Sequence, residues 1–247
     1  MSDILIFDKV YMSFFDLKKE TKVLSDLSFK IKEGNIYSLI GPSGCGKSTI
    51  LNLVANIIKP IKGNIIKPEN IGYMFQKDNL LEWLTVIDNV LIGLKINKTL
   101  SLEKVEYAKE LLVKYGLKDF IDSYPDELSG GMRQRVALIR AIILNPKLLL
   151  LDEPFSALDS QTRIEVSYDI YNILKELKVT TLIVTHDIAE AITLSDHILL
   201  LSDRPATIKE DIFISFNNKS PFERRNNTLF NQYFNKIWGE MNDRITQ

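Results

Sequence analysis

Residues Gly41 to Thr49 read GPSGCGKST and follow directly on the apolar run Ile36-Tyr37-Ser38-Leu39-Ile40. That run reads as a buried strand and Lys47 to Ile57 as a helix, so the glycines fall at a strand-to-helix turn inside an α/β body. Such a turn holds phosphate for a physical reason. Gly41, Gly44 and Gly46 allow backbone conformations that a Cβ would forbid, and successive N–H groups can then point inward around an anion at a helix N-terminus. Lys47 adds a mobile positive charge for β- and γ-phosphates, and the Ser48 hydroxyl can ligate magnesium. The alternative is an ordinary glycine-rich turn, and the strand before and helix after argue against it.

The 247 residues are 45% hydrophobic, enough to bury a core as one large domain or two closely packed lobes. Basic residues number 31 and acidic residues 32, for a net charge of −1, and nothing in that balance points to a nucleic-acid partner. Cys45 is the single cysteine, which excludes an internal disulfide framework and fits a reducing compartment. The stretch Met1 to Asp8 carries two acids among its apolar residues and lacks the layout of a secretory signal. The longest apolar runs, such as Leu148 to Leu151, fall far short of the roughly 18 residues of a spanning helix. A soluble chain is expected, with any membrane association made through a partner.

Strands are expected at residues 4–10 and 23–31, with a loop over Tyr11 to Thr21 between them. That loop holds Phe14 and Phe15, either of which could stack on a base or pack under the first sheet. The helix after the phosphate turn is expected to end at Asn56, a residue able to hold a left-handed cap. Lys59 to Asn64 then reads as a turn into a strand at Ile65-Ile66, and Ile71 to Phe75 as a short strand ending at Gln76. From there to about residue 127 the pattern turns helical, over 86–94, 102–115 and 117–121, as a small lobe inserted into the α/β body. Its opening, Leu80 to Val86, suits a contact surface as well as a core.

Ser129-Gly130-Gly131 opens a helix whose apolar positions Val136, Ile139, Ile142 and Ile143 recur at helical spacing. This is a second potential anion site by the same N–H and dipole argument, and one nucleotide rarely needs two. After Asn145-Pro146, Lys147 to Leu151 reads as a buried parallel strand that delivers Asp152 and Glu153 at its carboxyl end. Adjacent acids there are costly unless they serve a purpose. Asp152 can hold magnesium through water, and Glu153 can take a proton from an attacking water. Ser156 to Asp159 forms a turn before a helix over 161–178. Thr180 to Val184 is a buried strand leading to His186, which could reach a γ-phosphate, whereas His197 reads as a passive hydrogen-bonded residue. Strands near 197–202 and 206–214 and a polar helix over 226–242, with Phe234 and Trp238 on one side, close the chain.

The phosphate turn, Gln76, the signature Leu128 to Gln134, the LLLLDEP strand at 148–154, the SALD turn at 156–159 and His186 together resemble the ATP-binding subunit of an ABC transporter over nearly the whole chain. The pattern L-S-G-G-x-x-Q-R alone would arise by chance in about one chain in 10⁵. The resemblance implies the P-loop NTPase fold of ABC ATPases in a single nucleotide-binding domain. Its β subdomain and RecA-like α/β core would span 1–76 and 146–215, with an N-terminal antiparallel part. An inserted α-helical subdomain with the signature would span 77–145, and a C-terminal helical tail 216–247. ATP and Mg²⁺ are implied, with Gly41, Pro42, Ser43, Gly44, Cys45, Gly46, Lys47, Ser48 and Thr49 around the phosphates and Ser48, Gln76 and Asp152 at the metal. Glu153, His186, Gln76 and Lys47 would be catalytic.

In the resembled family two copies pair head to tail. Ser129, Gly130 and Gly131 of one would then close on the γ-phosphate held by Lys47 of the other, and Asp159 would communicate across the homodimer. Phe14 falls where the family keeps its adenine-stacking aromatic, with Phe15 the fallback. ATPase activity coupled to transport, integral-membrane permease subunits, an extracytoplasmic substrate-binding protein and a peripheral seat on the cytoplasmic face of the cell membrane are implied in turn. Neither fused membrane helices nor an appended regulatory domain is expected. The stretches 80–90 and 201–206 resemble the nitrate, sulfonate and taurine importer branch, from whose usual L-L-P-W and R-P-G they depart at Glu82 and Ala206. Import of a small anion is the implied function, with a standalone cassette of an exporter or cell-division complex as the alternative. A DNA-repair or chromosome cassette would carry a coiled coil between phosphate turn and signature, where about 80 residues without sustained heptads stand here. A translation factor would carry a second set of motifs.

Overall fold

The computed structural model describes residues 2–16, 19–217 and 219–242. In chain order the elements are β1 (Asp3–Asp16), β2 (Lys19–Lys32), β3 (Ile36–Ile40), α1 (Lys47–Val54), β4 (Lys62–Ile66), β5 (Ile71–Met74), α2 (Val86–Ile96) and α3 (Leu102–Lys114). They continue with α4 (Gly130–Ile142), β6 (Leu148–Asp152), α5 (Ser160–Leu177), β7 (Thr180–Val184), α6 (Ile188–Leu194), β8 (His197–Leu201), β9 (Ile208–Phe213), α7 (Pro221–Arg225) and α8 (Thr228–Asn242). The chain divides into two compact units, one of Met1–Glu69 with Lys178–Gln247 and one of Asn70–Leu177.

In the first unit β1 lies between β2 and β4, antiparallel to both. β3 lies between β7 and β8, parallel to both, with Leu39 opposite Val184 and Leu199, and β9 runs antiparallel along β8. A parallel strand buried on both faces needs no alternation, and all five residues of β3 are buried. Its polar groups are satisfied: Ser38 by Ser195, the two hydroxyl oxygens lying 2.5 Å apart, and the Tyr37 hydroxyl by accepting from Lys32 N at 3.4 Å. Because β3, β7 and β8 run the same way, the residues that follow them, Gly41, Thr185 and Ser202, leave at one edge of this sheet. α6 packs on β3 and on α7 and α8, where Ile40, Ile192, Ile198, Ile212 and Ile237 share a buried cluster.

In the second unit β5 pairs in parallel with β6, Tyr73 opposite Leu150. α4 is the central helix, packing on α2, α3, α5 and β5. Thr85, Ser101 and Ser129 cap α2, α3 and α4, each accepting from a backbone N–H in the first turn.

The loop expected over Tyr11 to Thr21 is instead the far end of a long hairpin, with Phe14 opposite Thr21 and Phe15 opposite Glu20. Register shifts between Phe7 and Val10, and again around Met12, break the period-two alternation that marks a strand. Helix over 117–121 is a single 3₁₀ turn, Lys118–Phe120. α1 ends at Val54, and Asn56 takes the expected left-handed conformation at φ 61°. α7 was not anticipated, although Ser220, Pro221 and Glu223 form a capping box with proline at the helix start. Met1, Leu17, Lys18, Asn218 and residues 243–247 lie outside the described residues.

Candidate nucleotide site

The expected site residues fall into two groups, one in each unit. Phe14, the phosphate turn and His186 belong to the first, and Gln76, Ser129 to Gly131, Asp152, Glu153 and Asp159 to the second.

The turn after β3 uses its glycines in different ways. Gly44 and Gly46 sit at φ 74° and 121°, which L side chains rarely adopt. Gly41 does not need that freedom and is required for close approach, since a Cβ there would lie 2.8 Å from Leu201 Cβ. The side chain of Val23 from β2 packs against Gly46, so the β1–β2 hairpin supports the turn. Lys47 is buried and its Nζ donates to the carbonyl oxygens of Gly41 at 2.8 Å and Pro42 at 3.0 Å. α1 begins after Gly46, which has no side chain with which to cap its first-turn N–H groups. Ser43, Gly44 and Ser48 are exposed. Cys45 is 1% exposed, and burial pushes its thiol above the ordinary value, against the nearby Lys47 cation.

His186 is exposed at the end of β7, between two residues held in place. Thr185 Oγ1 donates to Glu190 Oε2 at 2.7 Å and accepts from Asp187 N at 3.0 Å. Asp187 in turn caps α6 by accepting from Ala189 N and Glu190 N. Phe14 is 46% and Phe15 73% exposed on β1, and because successive strand positions face opposite sides, only one of them can cover a given ligand. A cavity of about 280 Å³ is lined by Pro42, Ser43, Gly44 and Cys45 together with Asp203 and Arg204.

In the second unit β6 ends at Asp152, whose Oδ2 accepts from Tyr73 OH at 3.4 Å. Burial, with the Asp152 carboxylate beside it, holds the Tyr73 phenol well above its usual range, so it remains a donor. Glu153 has a left-handed backbone at φ 44°, a costly conformation of the kind found at functional sites. Its carbonyl accepts from Ser156 N at 3.1 Å and Oγ at 3.0 Å, and its Oε2 accepts from Gln76 Nε2 at 3.1 Å. Ser129 Oγ accepts from Met132 N at 3.4 Å, and Ser129 and Gly130 are exposed while Gly131 is buried against Thr162 and Val166 of α5. Asp159 accepts from Gln161 N and Thr162 N at 3.1 Å each, and its carboxyl is held below the usual value by the Thr162 side chain first and then by these backbone bonds.

The stretch opening the helical part divides between the two readings left open for it. Leu80 and Val86 are core, whereas Trp83 is 73% exposed. Glu82, Lys109, Asp122, Tyr124, Asp126 and Glu127 line a groove of about 950 Å³. The placing of Tyr73 beside Asp152 and of the Asp203–Arg204 turn beside the phosphate turn was not foreseen. The signal for both is strand pairing: β5 beside β6 brings Tyr73 to Asp152, and β8 beside β3 brings residues 203–204 to the phosphate turn. His197 is hydrogen-bonded to Asp211 through Nδ1 at 3.0 Å and stacked on Tyr37, the passive role expected of it.

The ABC transporter family model matches residues 24–156. An uncharacterized ABC transporter ATP-binding protein of Bacillus subtilis, YtlC, is 44% identical over 245 residues, which covers 95% of this chain and 94% of that protein. The aliphatic sulfonates import ATP-binding protein SsuB of Bacillus cereus is 41% identical over 215 residues, 84% of this chain and 83% of its own. A solved dimeric ATP-binding cassette in a post-hydrolysis state, bound to ADP and Pi, matches with a TM-score of 0.74 at 30% identity, covering 86% of this chain and 100% of that one.

Proposed function

Because the chain belongs to the ABC transporter family and has the ABC ATPase fold, we propose that it powers import of a small anion, of the nitrate, sulfonate or taurine kind, through a separate membrane permease. One observation carries the import reading: the likeness to aliphatic sulfonates import ATP-binding proteins extends over more than four-fifths of both chains. That favours import over the service of an exporter or a cell-division complex.

In this reading Lys47 exchanges the Gly41 and Pro42 carbonyls for the β- and γ-phosphates of ATP, while the N–H groups of residues 41–49 cradle them. Phe14, or failing it Phe15, stacks on the adenine. Glu153 takes the proton of the water that attacks the γ-phosphorus, Gln76 orients that water, and ADP departs as phosphate forms. His186, with Ser129, Gly130 and Gly131 of a second copy, meets the charge on the transferring oxygens. Asp159 communicates between the copies of the head-to-tail homodimer. The donors offered by Ser48, Gln76 and Asp152 are all oxygen, the set that suits Mg²⁺, which characteristically takes one or two carboxylates plus substrate phosphates. When bound it supplies charge neutralisation at those phosphates.

No helix among the described residues is long and apolar enough to cross a membrane. By the likeness to import ATP-binding proteins, the proposed seat is peripheral, on the cytoplasmic face, with permease subunits docked at the groove beside Glu82 and Trp83. An extracytoplasmic binding protein delivers the solute. The division into core (1–76, 146–215), helical subdomain (77–145) and tail (216–247) belongs to the same reading.

The test is co-purification with the membrane subunits. The complex should hydrolyse ATP faster when a ligand-loaded extracytoplasmic binding protein is added. Stimulation by a compound supplied from the cytoplasmic side, with no binding protein, would establish the exporter reading instead.

A further inference from the structure

Arg133 stands four residues after the cap Ser129 and donates in several directions at once. Its Nε reaches Asp78 Oδ2 at 2.9 Å and its Nη2 reaches Asp78 Oδ1 at 3.0 Å and Glu82 Oε1 at 2.7 Å, while Nη1 reaches Pro125 O at 2.9 Å. Arg140, two turns further along the same face of α4, donates to Asn79 O at 2.7 Å and Asp78 O at 2.5 Å. From the other side the buried Asn89 of α2 accepts from Leu81 N at 2.7 Å and donates to the carbonyls of Leu81, Leu84 and Thr85 at 3.1, 3.0 and 3.0 Å. The segment Asp78 to Thr85, which begins two residues after Gln76, is therefore tied to two helices along its length.

The Asp78–Arg133 contact is a two-pronged, charge-assisted bond between mostly buried side chains, stronger and more directional than a surface pair. Burial alone would raise the Asp78 carboxyl, yet the Arg133 fork holds it below the ordinary carboxylate range. Lysine could not reproduce the fork, since its ammonium is a single point charge.

We propose that Arg133 is a positioning residue for hydrolysis, which makes the segment behind Gln76 and the capped start of α4 one body, so that Gln76 and Ser129 are set together. The proposal rests on the hydrolytic roles assigned above. Glu82 is a position where this chain departs from the pattern of the branch it resembles. The importer branch it resembles usually has proline there, which offers no carboxylate. Here Glu82 gives Arg133 a second acidic acceptor and also lines the 950 Å³ groove, so a cation docking in the groove would compete for the carboxylate that Arg133 holds.

The experiment compares steady-state hydrolysis with ATP-binding titration for the full chain. Arg133 lies outside the unit that carries Lys47. Arg133→Ala is therefore expected to lower kcat about tenfold, with the ATP dissociation constant changed less than about threefold. Arg133→Lys should recover part of that loss, to about threefold below the parent, and Glu82→Gln, which leaves the Asp78 fork, should cost about twofold or less. Parent-like kcat in both Arg133 variants overturns the proposal. So does a fall in which kcat, ATP affinity and melting temperature decline together in Arg133→Lys, because that is the mark of a folding role alone. If the unmodified chain does not hydrolyse ATP, the roles on which the clamp rests are refuted, and the clamp with them.

Discussion

Gln76 donates through Nε2 to Glu153 Oε2 at 3.1 Å, so the amide and the carboxylate that follow β5 and β6 meet directly. The glutamate is held from two sides, by that bond and by a left-handed backbone secured through Ser156. A carboxylate fixed in this way is suited to accept a proton from one water in one place. Glu153→Gln preserves shape and removes the basic oxygen. It is expected to bind ATP as the parent does, to lose about 10²–10³-fold in kcat, and to accumulate an ATP-bound dimer. Phosphate release and sedimentation measure the two effects, and parent-like turnover would remove Glu153 from the base role.

Lys47 already bonds the turn's own carbonyls, at Gly41 and Pro42. Replacing it removes both this internal tie and the cation offered to phosphate. Lys47→Ala should weaken ATP binding by about tenfold or more, the scale on which a charge-assisted contact of about 1.5–3 kcal/mol is lost. A fluorescent-ATP titration reads this directly, and unchanged affinity would contradict the placement of the phosphates.

Cys45 lies inside the same turn, buried and with its thiol raised. The reacting species is the thiolate, so a raised value means less of it at neutral pH and a rate that climbs as pH rises through and beyond the ordinary thiol range. Labelling by a bulky thiol reagent should therefore be slow at pH 7, faster at pH 9, and slowed at both by bound ATP. Once formed, the adduct should abolish ATP binding. Equal rates with and without ATP would count against nucleotide at this turn.

What could be read from the sequence and what could not divide along one line. The phosphate turn, the acids at the end of β6 and the left-handed Asn56 follow from chemistry within a few residues, and each stands in the structure where its local pattern put it. The extent of the β1–β2 hairpin was hidden because bulges displace the alternation that reveals a strand. Tyr73 and Asp152, 79 residues apart, meet only because β5 and β6 pair in a given register, and Arg133 and Asp78, 55 apart, only because the segment after Gln76 lies along α4. No periodicity within either segment encodes such a meeting. Gly41 shows the limit in miniature, since the crowding that requires glycine there comes from Leu201, on a strand 160 residues later in the chain.

Arg224 ties the tail to the helix that follows His186. It is 3% exposed, and its Nη1 donates to Thr193 O at 3.2 Å and Ser195 O at 2.8 Å, its Nε to Lys219 O at 3.1 Å, with the guanidinium 5.6 Å from the Phe216 ring centre. Thr193 and Ser195 lie at the end of α6, where a cation meets the negative end of the helix. Arg224→Ala strands buried carbonyls and should cost about 3 kcal/mol, lowering the melting temperature by roughly 6–12 °C. Arg224→Lys, with one point donor for three carbonyls, should recover less than half of that. α7 and α8 cover the cluster of Ile192 and Ile237, so the weakened tie should also appear as early proteolytic release of the tail. Hydrolysis well below the melting range should stay within about twofold of the parent, because Arg224 touches the end of α6 distant from His186 and Asp187. A variant that melts and resists protease like the parent would mean that the apolar face of α8 alone holds the tail. In that case the buried guanidinium replaces only what water or a neutral donor could supply.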